Sequence, residues 1–169
     1  RSESLFRDPK FKNQQLAAIL LSKLYFHLND YKEALNYALK SGAYFNVDDH
    51  SDFTEVLVNK SIECYIEHAK KSLPLESGER YKEIVDGMVE KSLRKREYRM
   101  PLGIALESYD LVLAKRIIAE INYHELVEAV LPHLDYMEPE FKHKVLVEIS
   151  QKKMSEGKRK AYSATTPIQ

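Results

Sequence analysis

Tryptophan is absent from this 169-residue sequence, cysteine occurs once, and glycine and proline number only five and six. A single Cys64 excludes an intramolecular disulfide and a thiolate-based zinc site, and it suits a reducing compartment. So few glycines and prolines argue against β-sandwiches, Gly-rich phosphate loops and disordered linkers. Charge of either sign is not in excess, with 26 Lys+Arg against 26 Asp+Glu, so the chain is not built as a trap for nucleic-acid polyanions. Long apolar runs are also missing. The run Leu16–Leu21 falls far short of the roughly 20 residues that span a bilayer. The sequence begins at Arg1 without a signal peptide, and it reads as a piece of something longer.

What is present is helical periodicity. Leu16, Ile19, Leu20, Leu24 and Leu28 form a broad stripe near period 3.6, taken here as the core face of a first helix. Asn29 and Asp30 break it. Tyr31, Ala34, Leu35, Ala38 and Leu39 begin a second stripe, and Gly42 follows where a helix end tolerates positive φ. A connection carrying Asn46, Asp48, Asp49 and Asp52 leads to a third helix from about Phe53 to Lys71. Ser77 is the expected N-cap of a fourth, whose face is Tyr81, Ile84, Val85, Met88, Val89 and Leu93. Pro101 fits the first turn of a helix from Met100, or equally a kink in one begun at Arg96. Shorter faces follow at Leu102–Leu106, Leu111–Ile121, Leu126–Leu134 and Phe141–Ile149, with Pro132 shortening or bending the third of these.

The pattern predicts an all-α fold, an irregular α-solenoid of stacked antiparallel helical hairpins with tetratricopeptide-like logic. Residues 1–150 form the helical-hairpin rod segment. Residues 151–169 carry Lys152, Lys153, Lys158, Arg159 and Lys160 against Glu156 alone, and read as a basic tail, poorly ordered or not contiguous with the rod. Tyr25, Tyr31, Tyr37, Tyr44 and Tyr65 are expected to cross hairpin interfaces, with a peptide groove as the other role open to them.

A family resemblance rests on motifs in order: Lys23–Leu28, Tyr31–Leu39, Phe45–Asp49 and Gly103–Glu107. Together they resemble the N-terminal helical region of the largest non-ATPase scaffold subunit of the 26S proteasome regulatory particle, over roughly Phe11 to Ile121. The resemblance implies a non-catalytic scaffold in the cytoplasm and nucleus, organising other regulatory-particle subunits for ubiquitin-dependent protein degradation. It implies no cofactor, no small-molecule substrate and no membrane or nucleic-acid partner. That family also carries a toroid of Gly- and Ala-rich repeats, which five glycines cannot build, so the toroid's partners do not carry over. Tyr31, Ala34, Ala38, Gly103 and Ala105 are the residues expected to shape the rod.

No catalytic, cofactor-binding or metal-binding residue is assigned. Glu140 and His143 make one Glu-x-x-His, whereas a di-iron bundle needs two. His124, His133 and His143 stand on separate elements. Cys64 and His68 are four apart, but Glu63 and Glu67 flank the thiol and disfavour a thiolate. The run Lys91–Arg99, with five cations and Tyr98, admits a phosphate stripe, a solvated face or a contact to an acidic partner. The rival readings are a tetratricopeptide-like adaptor binding a short peptide and, from a different class, a helical enzyme or RNA-binding module.

Overall fold

The computed structural model describes residues 13–71 and 75–165. These residues are mostly helical, with no strand among them: α1 Gln14–His27, α2 Tyr31–Lys40, α3 Asp52–Lys71, α4 Leu75–Arg94, α5 Arg99–Glu107, α6 Leu111–Glu120, α7 Tyr123–Val130 and α8 Pro139–Thr165. Single 3-10 turns at Gly42–Tyr44 and Leu131–His133 complete the order. The fold is an all-α helical solenoid of hairpins, as the periodicity predicts. Two compact units divide the chain, one reaching His68 and adding Ser72–Gly87, the other holding Ala69–Lys71 and Met88 onward.

In the first unit α1 packs along α2. Ala34, Leu35 and Ala38 are fully buried with Leu57, and Phe26, Phe45, Phe53 and Tyr81 pack round them. The small Ala34 and Ala38 let the two helices approach closely, the role the sequence predicts for them. Ser22, itself buried, donates to the Ala34 carbonyl across this contact at 2.6 Å. Tyr25 and Tyr37 stack with centroids 5.5 Å apart, while Tyr31 donates its hydroxyl hydrogen to Asn29 Oδ1 at 3.1 Å. Tyr44 departs from the expectation; it is 55% exposed.

Three helices end in one backbone device. Asn29, Arg96 and Tyr109 hold φ near +60°, in the left-handed region. After each, the next N–H reaches back to close the final turn: Asp30 to Tyr25 O, Glu97 to Ser92 O, Asp110 to Ala105 O. Asp30 and Asp110 then cap the following helix, accepting from the N–H of Glu33 and Leu113. One aspartate thus ends one helix and starts the next.

In the second unit Leu102, Ala105, Ala114, Ile117, Ile121, Leu126 and Val145 are fully buried. Pro101 sits in the first turn of α5, where its missing N–H costs nothing, and no kinked helix begins at Arg96. Asn122 caps α7 by accepting from Glu125 N–H at 2.9 Å. Pro132 ends α7 at Val130 by opening a 3-10 turn. Glu138 caps α8, and the N–H groups of Glu140 and Phe141 hold its carboxyl below the usual carboxylate range.

Two sequence expectations are corrected. Ser77 lies inside the first turn of α4, not at its N-cap, because the helix starts at Leu75; a serine is tolerated there, since first-turn N–H groups need no intrahelical partner. Residues 151–165 continue α8 without a break, where a separate tail was expected; 166–169 lie outside the described residues. Gly103, one of the residues expected to shape the rod, leaves room for a side chain: a Cβ there would stand 3.7 Å from the His133 ring, an ordinary contact.

Candidate protein-binding surface

The first helix holds the largest departure from the periodicity. Its buried residues are Ala18, Ile19, Leu21 and Ser22. Of the stripe read above, Ile19 is buried, while Leu16, Leu20, Leu24 and Leu28 stand 40%, 60%, 54% and 65% exposed. The reason is compositional: α1 is apolar on both faces, so period 3.6 fits either of them. The small residues Ala18 and Ser22 win the face against α2, because close approach to Ala34 needs small side chains. A helix apolar all round is one that is covered on both sides, and here the described residues cover one of them. The four leucines, each four residues after the last, make a continuous outward ridge.

Beside the ridge runs a groove of about 660 Å³ whose wall on α1 is Ile19 and Lys23. Its floor is Phe45 and Phe53, and its far rim is Tyr44, Asp48 and Asp49. The connection from Gly42 to Ser51 builds that rim. Gly42 adopts φ +58°, and a Cβ on it would meet the Gln15 amide at 2.8 Å. Asn46 Oδ1 then accepts from Asp48 N–H at 3.0 Å, and Ser51 donates to Asp49 Oδ2 at 2.9 Å. These local bonds fix the loop while the side chains of Asp48 and Asp49 belong to exposed residues. Lys23 Nζ stands 6.0 Å over the Phe53 ring. The exposed Tyr44 therefore takes the groove role rather than the hairpin interface.

The basic segments belong to the second unit, and several of their cations have structural partners. Arg94, Lys95 and Arg96 close the C-terminus of α4, where cations meet the negative end of the helix dipole. Arg116 clasps Glu90 with both guanidinium nitrogens, and this holds the Glu90 carboxyl below its usual range. Arg99 pairs with Glu128 at 3.1 Å. Lys152, in the expected tail, is mostly buried and donates to the Ala119 carbonyl at 3.0 Å, near the end of α6. Lys153 lies 5.5 Å over the Tyr123 ring. Lys158, Arg159 and Lys160 are exposed.

The candidate chemistry is drawn into structural roles. Burial pushes the Cys64 thiol up, outweighing Lys60 and Lys32, which pull the other way; Glu67 and Glu63 add only a little. His68 Nδ1 donates to the Cys64 carbonyl at 3.0 Å, and its ring meets Tyr81 edge-on. Glu140 takes Lys144 at 2.6 Å rather than His143. His124 faces Glu128 at 3.6 Å, and His133 faces Glu107 at 3.9 Å. Among the described residues no three His, Cys, Asp or Glu are grouped to hold a metal, and no helix is long and apolar enough to cross a membrane.

Helical hairpins with a ready-made apolar ridge define a helical-repeat segment. The family described as "26S proteasome subunit RPN2, N-terminal domain" matches residues 1–169, and the chain belongs to it. A 26S proteasome regulatory subunit RPN2 from Eremothecium gossypii is 37% identical over 136 residues, 76% of this chain and 15% of that protein. Its Saccharomyces cerevisiae counterpart is 38% identical over 117 residues, 64% of this chain and 12% of that protein. A 26S proteasome non-ATPase regulatory subunit 1 homolog B from Arabidopsis thaliana is 32% identical over 155 residues, 85% of this chain and 15% of that protein. The chain thus spans no more than 15% of the length of these relatives.

Proposed function

We propose that the chain is a non-catalytic scaffold segment of the proteasome regulatory particle, organising neighbouring subunits for ubiquitin-dependent protein degradation in the cytoplasm and nucleus. The mechanism is geometric: stacked hairpins present exposed ridges that hold other subunits in register. It uses no cofactor and no small-molecule substrate, and its partners are proteins rather than membranes or nucleic acids. The observation that carries this reading is the outward ridge of Leu16, Leu20, Leu24 and Leu28, an apolar surface already set in a folded helix. The test is capture of purified regulatory-particle subunits on the immobilised chain, with each subunit identified by mass spectrometry. Recovery of defined subunits is expected; recovery of none by a chain with an intact helical spectrum overturns the reading. A tetratricopeptide-like adaptor is the second reading, favoured by the groove under Tyr44. One saturable motif on a peptide array, without subunit capture, would establish it instead.

A further inference from the structure

A pocket of about 270 Å³ lies wholly within the second unit, with Lys70 near the end of α3 on its wall. Leu106 and Met137, both buried, give it an apolar lining. Tyr109 and Tyr136 line it from two turns that the backbone fixes. Tyr109 holds φ +57° and its ring meets Phe141 edge-on at 5.2 Å, while Tyr136 N–H donates to the His133 carbonyl at 3.2 Å. The polar lining is balanced in charge. Glu107, the last residue of α5, has one carboxyl oxygen 3.9 Å from Lys70 Nζ and the other 3.9 Å from His133 Nδ1. Lys70 and Glu107 are half-exposed, and His133 less so. Both gaps exceed hydrogen-bond length. A carboxylate acceptor and an ammonium donor therefore face one space without closing on each other, beside an imidazole that serves in either role.

We propose that this pocket binds a primary carboxamide, its N–H donating to Glu107 and its carbonyl accepting from Lys70. The charge balance selects the group. A guanidinium would satisfy Glu107 but stand beside the Lys70 ammonium. A carboxylate or phosphate would satisfy Lys70 but face the Glu107 carboxylate. Each sets like charges together in a partly desolvated site, which works against binding. An apolar group takes water from both polar side chains and returns no hydrogen bond. A hydroxyl meets both from one atom, as water does already, and gains nothing by displacing it. A carboxamide is neutral and offers donor and acceptor on adjacent atoms. Its methylene stem then lies over Leu106 and Met137, an apolar lining with few polar groups to fix orientation. A glutamine side chain of another protein and a free small amide share this chemistry.

Titration of the isotope-labelled 169-residue chain, followed by backbone amide NMR, tests this with four probes. Three are the N-acetyl N-methylamides of glutamine, arginine and glutamate; the fourth is propionamide. The glutamine probe is expected to shift the amides of Glu107, Tyr109 and Tyr136 saturably, with Kd on the order of millimolar. It should bind at least about fivefold more tightly than the arginine and glutamate probes. Lys70→Met should make the arginine probe the best ligand, and Glu107→Gln the glutamate probe, each with an otherwise unchanged spectrum. Propionamide binding as tightly as the glutamine probe would point to a free amide; weaker binding would point to a side chain of another protein. Equal shifts from the three amino-acid probes overturn the proposal. So does a folded chain that ignores the glutamine probe, or an order of preference that neither variant changes. The pocket does not depend on the scaffold reading, and subunit capture tests that separately.

Discussion

Ser22 and Ala34 are twelve residues apart and both fully buried, joined by a 2.6 Å hydrogen bond from the serine hydroxyl to the alanine carbonyl. The bond sits in the contact between α1 and α2, so that contact is small and polar where a bulky apolar pair would be commonplace. Ser22→Ala removes the bond and leaves a carbonyl still bonded within its helix, at a cost of about 1 kcal/mol. Ala34→Leu forces the helices apart and costs about 2–3 kcal/mol. Urea unfolding followed by circular dichroism separates the two, and equal effects would show that spacing is not set here.

The two faces of α1 give opposite outcomes for the same chemistry. Leu21 is 3% exposed and Leu20 is 60% exposed. Leu21→Ala is expected to lose about 2–4 kcal/mol through a cavity, and Leu20→Ala to stay within about 0.5 kcal/mol. A large loss at Leu20 in thermal melts would restore the face that periodicity alone selects.

That reversal shows what a sequence does and does not disclose. The break at Asp30 was legible because a polar residue interrupts the apolar stripe there, while its role as a cap needed the structure. Ala34, Ala38 and Ala105 were legible as small residues at helical spacing, and all three are fully buried. The face of α1 was not, because both of its sides are apolar and only contact with α2 decides between them. The acid-rimmed groove was half visible: Asp48 and Asp49 read as a connection, while its aromatic floor needs Phe45 and Phe53 brought together in space. Lys152 was hidden for a similar reason, since its carbonyl partner lies 33 residues away.

Backbone strain should respond at Arg96. An L-residue in the left-handed region costs about 1–2 kcal/mol, and glycine returns about half of that as chain entropy. Arg96→Gly is therefore expected to stabilise by about 0.5–1 kcal/mol. Gly103→Ala, inside α5 with room for a Cβ, should also be neutral or stabilising, by up to about 1 kcal/mol. Denaturant midpoints check both; a marked loss at Gly103 would mean that α5 is packed more tightly than its 3.7 Å clearance.

Glu90 sets a pH dependence of known sign. The Arg116 hydrogen bond lowers its folded value below the unfolded one, near about 4.3. Its contribution is complete above that unfolded value and disappears as pH falls through the folded one. The stability gap between the native chain and Glu90→Gln should therefore be largest near neutrality, close below about pH 4, and shrink in salt. Melting curves across that range test it, and a gap that widens on acidification would refute the assignment.

The left-handed turns bear on how such a chain diverges. At Arg96 and Tyr109 the reversal is secured by main-chain bonds to Ser92 and Ala105, not by the identity of the residue that turns. Mutational drift through glycine, asparagine or bulkier residues can alter the spelling of a turn while the path of the chain persists. Distant members of such a lineage would then share a trajectory that no turn motif announces, and aligning them would depend on the cap aspartates and the small buried residues instead.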